Sequence, residues 1–233
     1  PKPSPTPTPS ESATVISKGA TEQTPLPAPR WRFGFGTGPA ISALRETDSE
    51  TSTQLLETFL FDVSAPFRFL FGRAVPAAEF GIDPPAIRKI SGVSAPSLDA
   101  KLGSAIQLTR RTSSFTVDLF PHFFYRTIFN ATIGYRNWIG FGVQTGIRYR
   151  MNQNSALLLG LNLGVGAGAS SILSFRNSRW GLRLHWERLW SENWGFSTGL
   201  NVSEETLNFA SVLSVAQTTG AAVFKLRWGG MPW

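Results

Sequence analysis

From residue 31 onward the chain alternates an apolar position with a small or polar one, and no sustained period of 3.6 appears. The stretch 139–169, IGFGVQTGIRYRMNQNSALLLGLNLGVGAGA, shows the rule in two runs joined by a polar knot. Ile139, Phe141, Val143, Ile147 and Tyr149 share one face, as do Leu157, Leu159, Leu161, Leu163 and Val165. Gly140, Gly142, Gly146, Gly160, Gly164 and Gly166 share the other with Arg148 and Arg150. A period of two puts successive side chains on opposite faces of a strand, so the class is all-β.

The same pattern and the turn residues between runs predict ten strands, at 30–43, 52–63, 66–73, 99–110, 114–129, 137–150, 155–169, 179–190, 193–203 and 220–230. Pro66 in SAPF reads as a turn; one strand over 52–73, with 30–45 left outside the count, would instead give eight. Residues 74–97 hold four prolines without clean alternation and read as a long loop. RRTS, MNQN and WSEN read as short turns, and 74–97, 130–136, 170–178 and 203–219 as longer connections. Short turns at one end and long loops at the other, with an even strand count, predict an up-and-down antiparallel β-barrel that spans a membrane.

Alternation alone also fits a soluble sandwich. Two features favour the closed barrel. The polar face is dominated by glycine, which a solvated sheet would not favour but the narrow inside of a small barrel does. Trp31, Tyr149, Trp190, Trp194 and Trp228 all fall in the apolar phase near the short-turn ends, as a girdle at one membrane interface would. Arg188 breaks the apolar phase near that end, where it can snorkel.

Composition narrows the reading further. Charged residues make up 16%, below the roughly 25% usual in soluble domains, and no apolar run reaches the roughly 18 residues of a spanning helix. With no cysteine and only His122 and His185, neither a cofactor nor a metal centre is expected. The net charge of +7 is scattered one or two residues per strand, which speaks against nucleic acid. Residues 1–29, opening PKPSPTPTPS, read as a Pro-rich extended leader outside the barrel at 30–233, with any signal peptide already removed.

Over residues 30–233 the pattern resembles the bacterial outer-membrane β-barrel superfamily. The resemblance implies a lipid environment in a bacterial outer membrane, short turns and leader in the periplasm, and an aromatic terminal signal such as Trp233 or Trp228. The leader would then be free to contact a periplasmic protein or peptidoglycan, or other subunits of an envelope complex.

The polar phase places Arg32, Asp62, Arg68, Lys101, Asp118, His122, Arg126, Arg148, Arg150, Arg183, His185, Glu187, Lys225 and Arg227 inside the barrel. Buried charges must be paired or hydrated, so these residues form a lumenal polar network. Three functions follow in order of expectation: a non-enzymatic anchor or complex subunit, a narrow channel for anionic solutes, and an enzyme acting on lipid A or peptides. The last needs a histidine beside a nucleophile or carboxylate. Asp118 and His122 share a face but lie about 13 Å apart along a strand, so no catalytic residue is expected. GFGTG at 34–38 and its flank lacks the following helix of a phosphate loop.

Overall fold

The computed structural model describes residues 30–46, 51–71, 73–83, 89–90, 93–109, 114–131, 134–168, 177–208 and 214–229. The expected leader at 1–29 and Trp233 lie outside the described residues. The elements are β1 (Arg32–Glu46), β2 (Ser52–Ser64), β3 (Ala74–Asp83), β4 (Lys89–Ile90), β5 (Val93–Ser94), β6 (Ser97–Gln107), β7 (Phe115–Asn130), β8 (Gly134–Asn152), β9 (Ser155–Gly168), β10 (Asn177–Leu189), β11 (Trp194–Asn208) and β12 (Ser214–Trp228). Ten of them close an antiparallel barrel, with β12 pairing back onto β1; β4 and β5 form a small separate hairpin.

The strand number agrees with the expectation, but one strand is displaced. Residues 66–73 are not a strand: they form the β2–β3 connection, closed by reciprocal Phe69 and Ala74 backbone bonds of 3.0 and 3.1 Å. Leu70 and Phe71 hold positive φ there. Its alternating phenylalanines mimic a strand because the turn itself presents an apolar edge; Phe67, Phe69 and Phe71 are exposed. The third barrel strand is β3, inside the segment expected to be a loop, and Pro76 is accommodated within it.

The strands also run further than expected at the opposite end. β7 and β8 are separated only by residues 131–133, and β11 and β12 by 209–213, where longer loops were expected. Connection length therefore distinguishes the two ends less than the strand overhang does.

Register fixes the size of the barrel. Stepping from Phe33 through Val63, Ala78, Leu102, Phe123, Phe141, Val165, Ser178, Thr206 and Ala216 returns to β1 at Arg45, twelve residues higher. Ten strands with that shear tilt by roughly 40° and enclose a backbone cylinder about 20 Å across. Inward side chains from opposite walls therefore meet, and little open bore remains.

The outer wall carries Phe35, Phe61, Phe123, Phe141, Leu159, Leu184 and Phe224, all exposed. Such a continuous apolar band would aggregate in water and suits hydrocarbon. At one rim, the girdle end, Trp31 stacks on Phe33 and Trp190 on Trp194, with Phe33 against Trp228 and Phe115 against Tyr149. At the other, the loop end, Trp180 donates to Glu204 at 3.0 Å and Tyr125 donates to Asn137 at 3.1 Å. Trp194 and Glu204 are ten residues apart on β11, about 25 Å along the axis at that tilt, which is the height of a hydrocarbon band.

Candidate functional site

The candidate site is the interior. Arg32, Asp62, Lys101, Asp118, His122, Arg126, Arg148, Arg150, Arg183, His185, Glu187, Lys225 and Arg227 occupy inward strand positions. Arg68 stands in the β2–β3 connection instead of a strand, yet it lines the interior from the girdle end. The girdle residues Trp31, Tyr149, Trp190, Trp194 and Trp228 face outward and are exposed.

From the girdle end upward the charges are paired in tiers. Glu187, fully buried, accepts from Arg148 Nε at 2.8 Å and lies 3.8 Å from Arg227; Arg148 also pairs with Asp118. Above them Lys225 pairs with Asp62, and Lys101 lies 3.1 Å from Glu79, which also accepts from Gln144 Nε2 at 2.8 Å. Next, Arg179 bonds Asp99 at 2.8 Å and covers the Phe124 ring at 3.8 Å. Arg126 and Glu205, 2.9 Å apart, form the last tier. Each carboxylate removed from water is thereby met by a cation, the condition under which buried charge is tolerated.

Glycine provides the room. A Cβ at Gly160 would stand 2.3 Å from Arg183 Nε, and one at Gly34 would stand 2.3 Å from Asp62 Oδ1. A Cβ at Gly142 would meet the His122 ring at 2.8 Å. The glycines of the polar face are thus the partners of the long inward side chains, one strand away.

Above the last ion pair the interior becomes apolar. Leu44, Ile128, Trp138, Leu207 and Val215, inward residues at the loop-end termini of five strands, pack around Ala95 from the β5–β6 connection. All six are at most 2% exposed, and Trp138 Nε1 donates to the Asn208 carbonyl at 3.4 Å. This cap closes the loop end, and the alternation had placed no apolar residue inside.

The sequence reading also missed Glu79, Asp99, Gln144, Arg179 and Glu205. Glu79 lies in the proline-bearing segment, and Glu205 just beyond the expected end of its strand. For Asp99 and Arg179 the signal was present, since they share the phase of Lys101 and Arg183.

Neither histidine is arranged for acid–base chemistry among the described residues. His122 Nδ1 lies 2.9 Å from the Phe120 carbonyl and its Nε2 3.5 Å from Arg179; His185 Nε2 lies 2.7 Å from Asn201 Oδ1. No hydroxyl or carboxylate bonds either ring. Among the described residues no group of three His, Asp or Glu is placed to hold a metal ion. The internal cavities measure about 150 and 210 Å³, smaller than the roughly 300–1,000 Å³ of ordinary ligand pockets. A larger apolar groove of about 500 Å³, floored by Ala78 and Ala100 between Phe80, Phe123 and Phe141, lies on the outer wall and faces hydrocarbon.

No family model and no curated protein matches this sequence. Solved structures match in fold. The outer membrane protease OmpT of Escherichia coli superposes with a TM-score of 0.56 at 6% identity, over 90% of this chain and 99% of that one. The translocator domain of the autotransporter NalP of Neisseria meningitidis gives a TM-score of 0.46 at 9% identity, covering 85% and 88%. Neisserial surface protein A gives 0.42 at 11% identity, covering 85% and 96%. OmpT is an outer-membrane protein, and identity this low speaks to architecture only. The closed ten-stranded barrel described above has the fold of the bacterial outer-membrane β-barrels, a likeness to the class and to no single member.

Proposed function

We propose that this protein is a non-enzymatic barrel of the bacterial outer membrane that anchors or completes a cell-envelope complex, with residues 1–29 reaching a periplasmic partner. The observation that carries the reading is the double closure of the interior, by the paired charges and by the apolar cap. A barrel filled this way offers its rims, its outer wall and its terminus for interaction instead of a passage. β1 begins at the girdle end, so a leader attached there emerges on the same side as the β2–β3 turn. In barrels of this fold class that side is the periplasmic one.

Planar-bilayer recording tests the closure. The full chain is expected to insert without discrete openings, and salt-dependent unitary currents would replace the anchor with a channel. The leader is tested by comparing the full chain with a variant lacking residues 1–29. Both should show heat-modifiable migration, and only the full chain should sediment with peptidoglycan or crosslink to a defined periplasmic protein. Equal behaviour of the two would remove the leader's role.

A further inference from the structure

Every carboxylate in the membrane-height tiers is engaged, yet one cation among them is not. Arg183 makes no hydrogen bond or ion pair with any described residue, and its Nε is buried without a partner. The two carboxylates nearest in the arrangement already have partners: Glu79 bonds Lys101 and Gln144, and Glu187 bonds Arg148 and lies beside Arg227. The two internal cavities are lined by Lys101, Arg148, Arg183, Lys225 and Arg227, with Arg32, Arg68 and Arg73 at the girdle end, against Asp62, Glu79, Asp99 and Asp118. Eight cations face four carboxylates, so the lining is cationic, and Arg183 bonds none of the four. Arg183 is half-buried, with Glu79 and Glu187 near it but bonded to other cations, so its guanidinium fork is free to take an anion in the cavity it lines.

The space for one is present. Arg183 and Arg227 line both cavities, together with Glu79, Gln144 and Leu158. Gly160 gives way to the Arg183 stem, and its Nη2 extends to within 3.8 Å of where a Cβ of Gly146 would stand. Either glycine as alanine would crowd the side chain or the space at its tip. Access is one-sided. The loop end is sealed by the apolar cap, whereas the smaller cavity reaches Arg32, Arg68 and the exposed Arg73 at the girdle end. A cationic, low-dielectric approach of this kind concentrates anions.

We propose that Arg183 and Arg227 hold a small oxyanion of the phosphate or sulfate class at the blind end of this basic vestibule. The planar fork of a guanidinium fits two oxygens of one anion, which favours an oxyanion over a halide. A cavity of about 150 Å³ has room for several waters at roughly 30 Å³ each, hence for a small oxyanion with part of its hydration. The site is independent of the anchor reading, because a conducting barrel would bind the anion as well.

The test titrates inorganic phosphate into the full-length barrel in detergent, with chloride adjusted to constant ionic strength, and follows the temperature at which the fast-migrating folded form is lost. A saturable rise of roughly 5–10 °C is expected at a hundredfold excess over Kd. Arg183→Gln should abolish the rise, Arg183→Lys should weaken apparent affinity at least tenfold, and Arg188→Gln on the outer wall should leave it intact. Equilibrium dialysis with radiolabelled phosphate should give one ion per wild-type barrel, and supplies the readout should Arg183→Gln fail to fold. No bound phosphate, or a non-saturating rise that persists unchanged in Arg183→Lys, overturns the site.

Discussion

The lower and upper parts of one interior are built in opposite ways. Between Arg148 and Glu205 the inward face carries the paired charges, with Phe120, Phe124 and Leu158 among them, and the outward face is apolar. Beyond that tier the inward face is Leu44, Ile128, Trp138, Leu207 and Val215, while outward positions on the same strands include Arg45, Thr127, Asn137, Thr206 and Thr218. The phase of the alternation inverts along single strands. On β7, Phe123 faces out and His122 in, but Thr127 faces out and Ile128 in. Each strand follows its surroundings: where hydrocarbon lies outside, polarity is confined to the inside, and where water lies outside, the inside becomes an ordinary core. The inversion therefore marks the membrane boundary, and it agrees with the tier of Trp180, Glu204, Tyr125 and Asn137 on the outer wall.

Under the proposed closed-barrel function the two regions would act as seals in series, and removing them separately or together gives the largest expected effect. Neither Leu44→Ala with Trp138→Ala, which thins the cap, nor Arg148→Ala with Glu187→Ala and Arg227→Ala, which empties the lowest tier, should conduct in planar bilayers. The five substitutions together should. Currents from either partial variant would show that one region alone closes the barrel.

Single substitutions compare the regions energetically. Glu187→Gln leaves Arg148 and Arg227 facing each other around a neutral amide and should cost about 3–5 kcal/mol in urea unfolding followed by tryptophan fluorescence. A loss below about 1 kcal/mol would mean that water already compensates the tier. Leu207→Ala in the cap should cost about 2–5 kcal/mol through the cavity it leaves, with the stability of the girdle unchanged by local quenching. Gly160→Ala forces Arg183 aside and should cost about 1–3 kcal/mol by overpacking; the same change combined with Arg183→Ala should recover most of it. Trp194→Ala removes one stacked pair at the girdle and should cost only about 0.5–1.5 kcal/mol, visible as a small shift in midpoint.

How far the fold is legible in the sequence depends on where a residue sits relative to that boundary. Ile139 to Tyr149 and Leu157 to Val165 lie within the band, so one uninterrupted phase revealed both strands, their faces and the turn at MNQN. Leu207 and Val215 lie beyond it, in the 203–219 segment expected to be a loop, and Trp138 lies at the start of its expected strand, where the phase changes. The FRFLFG segment misled for another reason. Its phenylalanines alternate because the connection meets the interface with an apolar edge, while Pro76 and the short apolar AVPAAEF hid the true strand.

The sequence by itself determined the period of two, the apolar and glycine-bearing faces, the aromatic girdle and the inward placement of Arg148 and Arg183. All of these follow from the local geometry of a strand, in which neighbours in the chain alternate faces. Only the tertiary structure decided which charges meet, because Glu187 and Arg148 are on β10 and β8 and Arg179 and Asp99 on β10 and β6, joined across the bore and not along the wall. It also decided that Arg183 bonds no carboxylate and that the loop end is filled by an apolar core. Those outcomes depend on the shear of twelve and the roughly 20 Å width, which set the strands opposite one another and have no counterpart in any one stretch of chain.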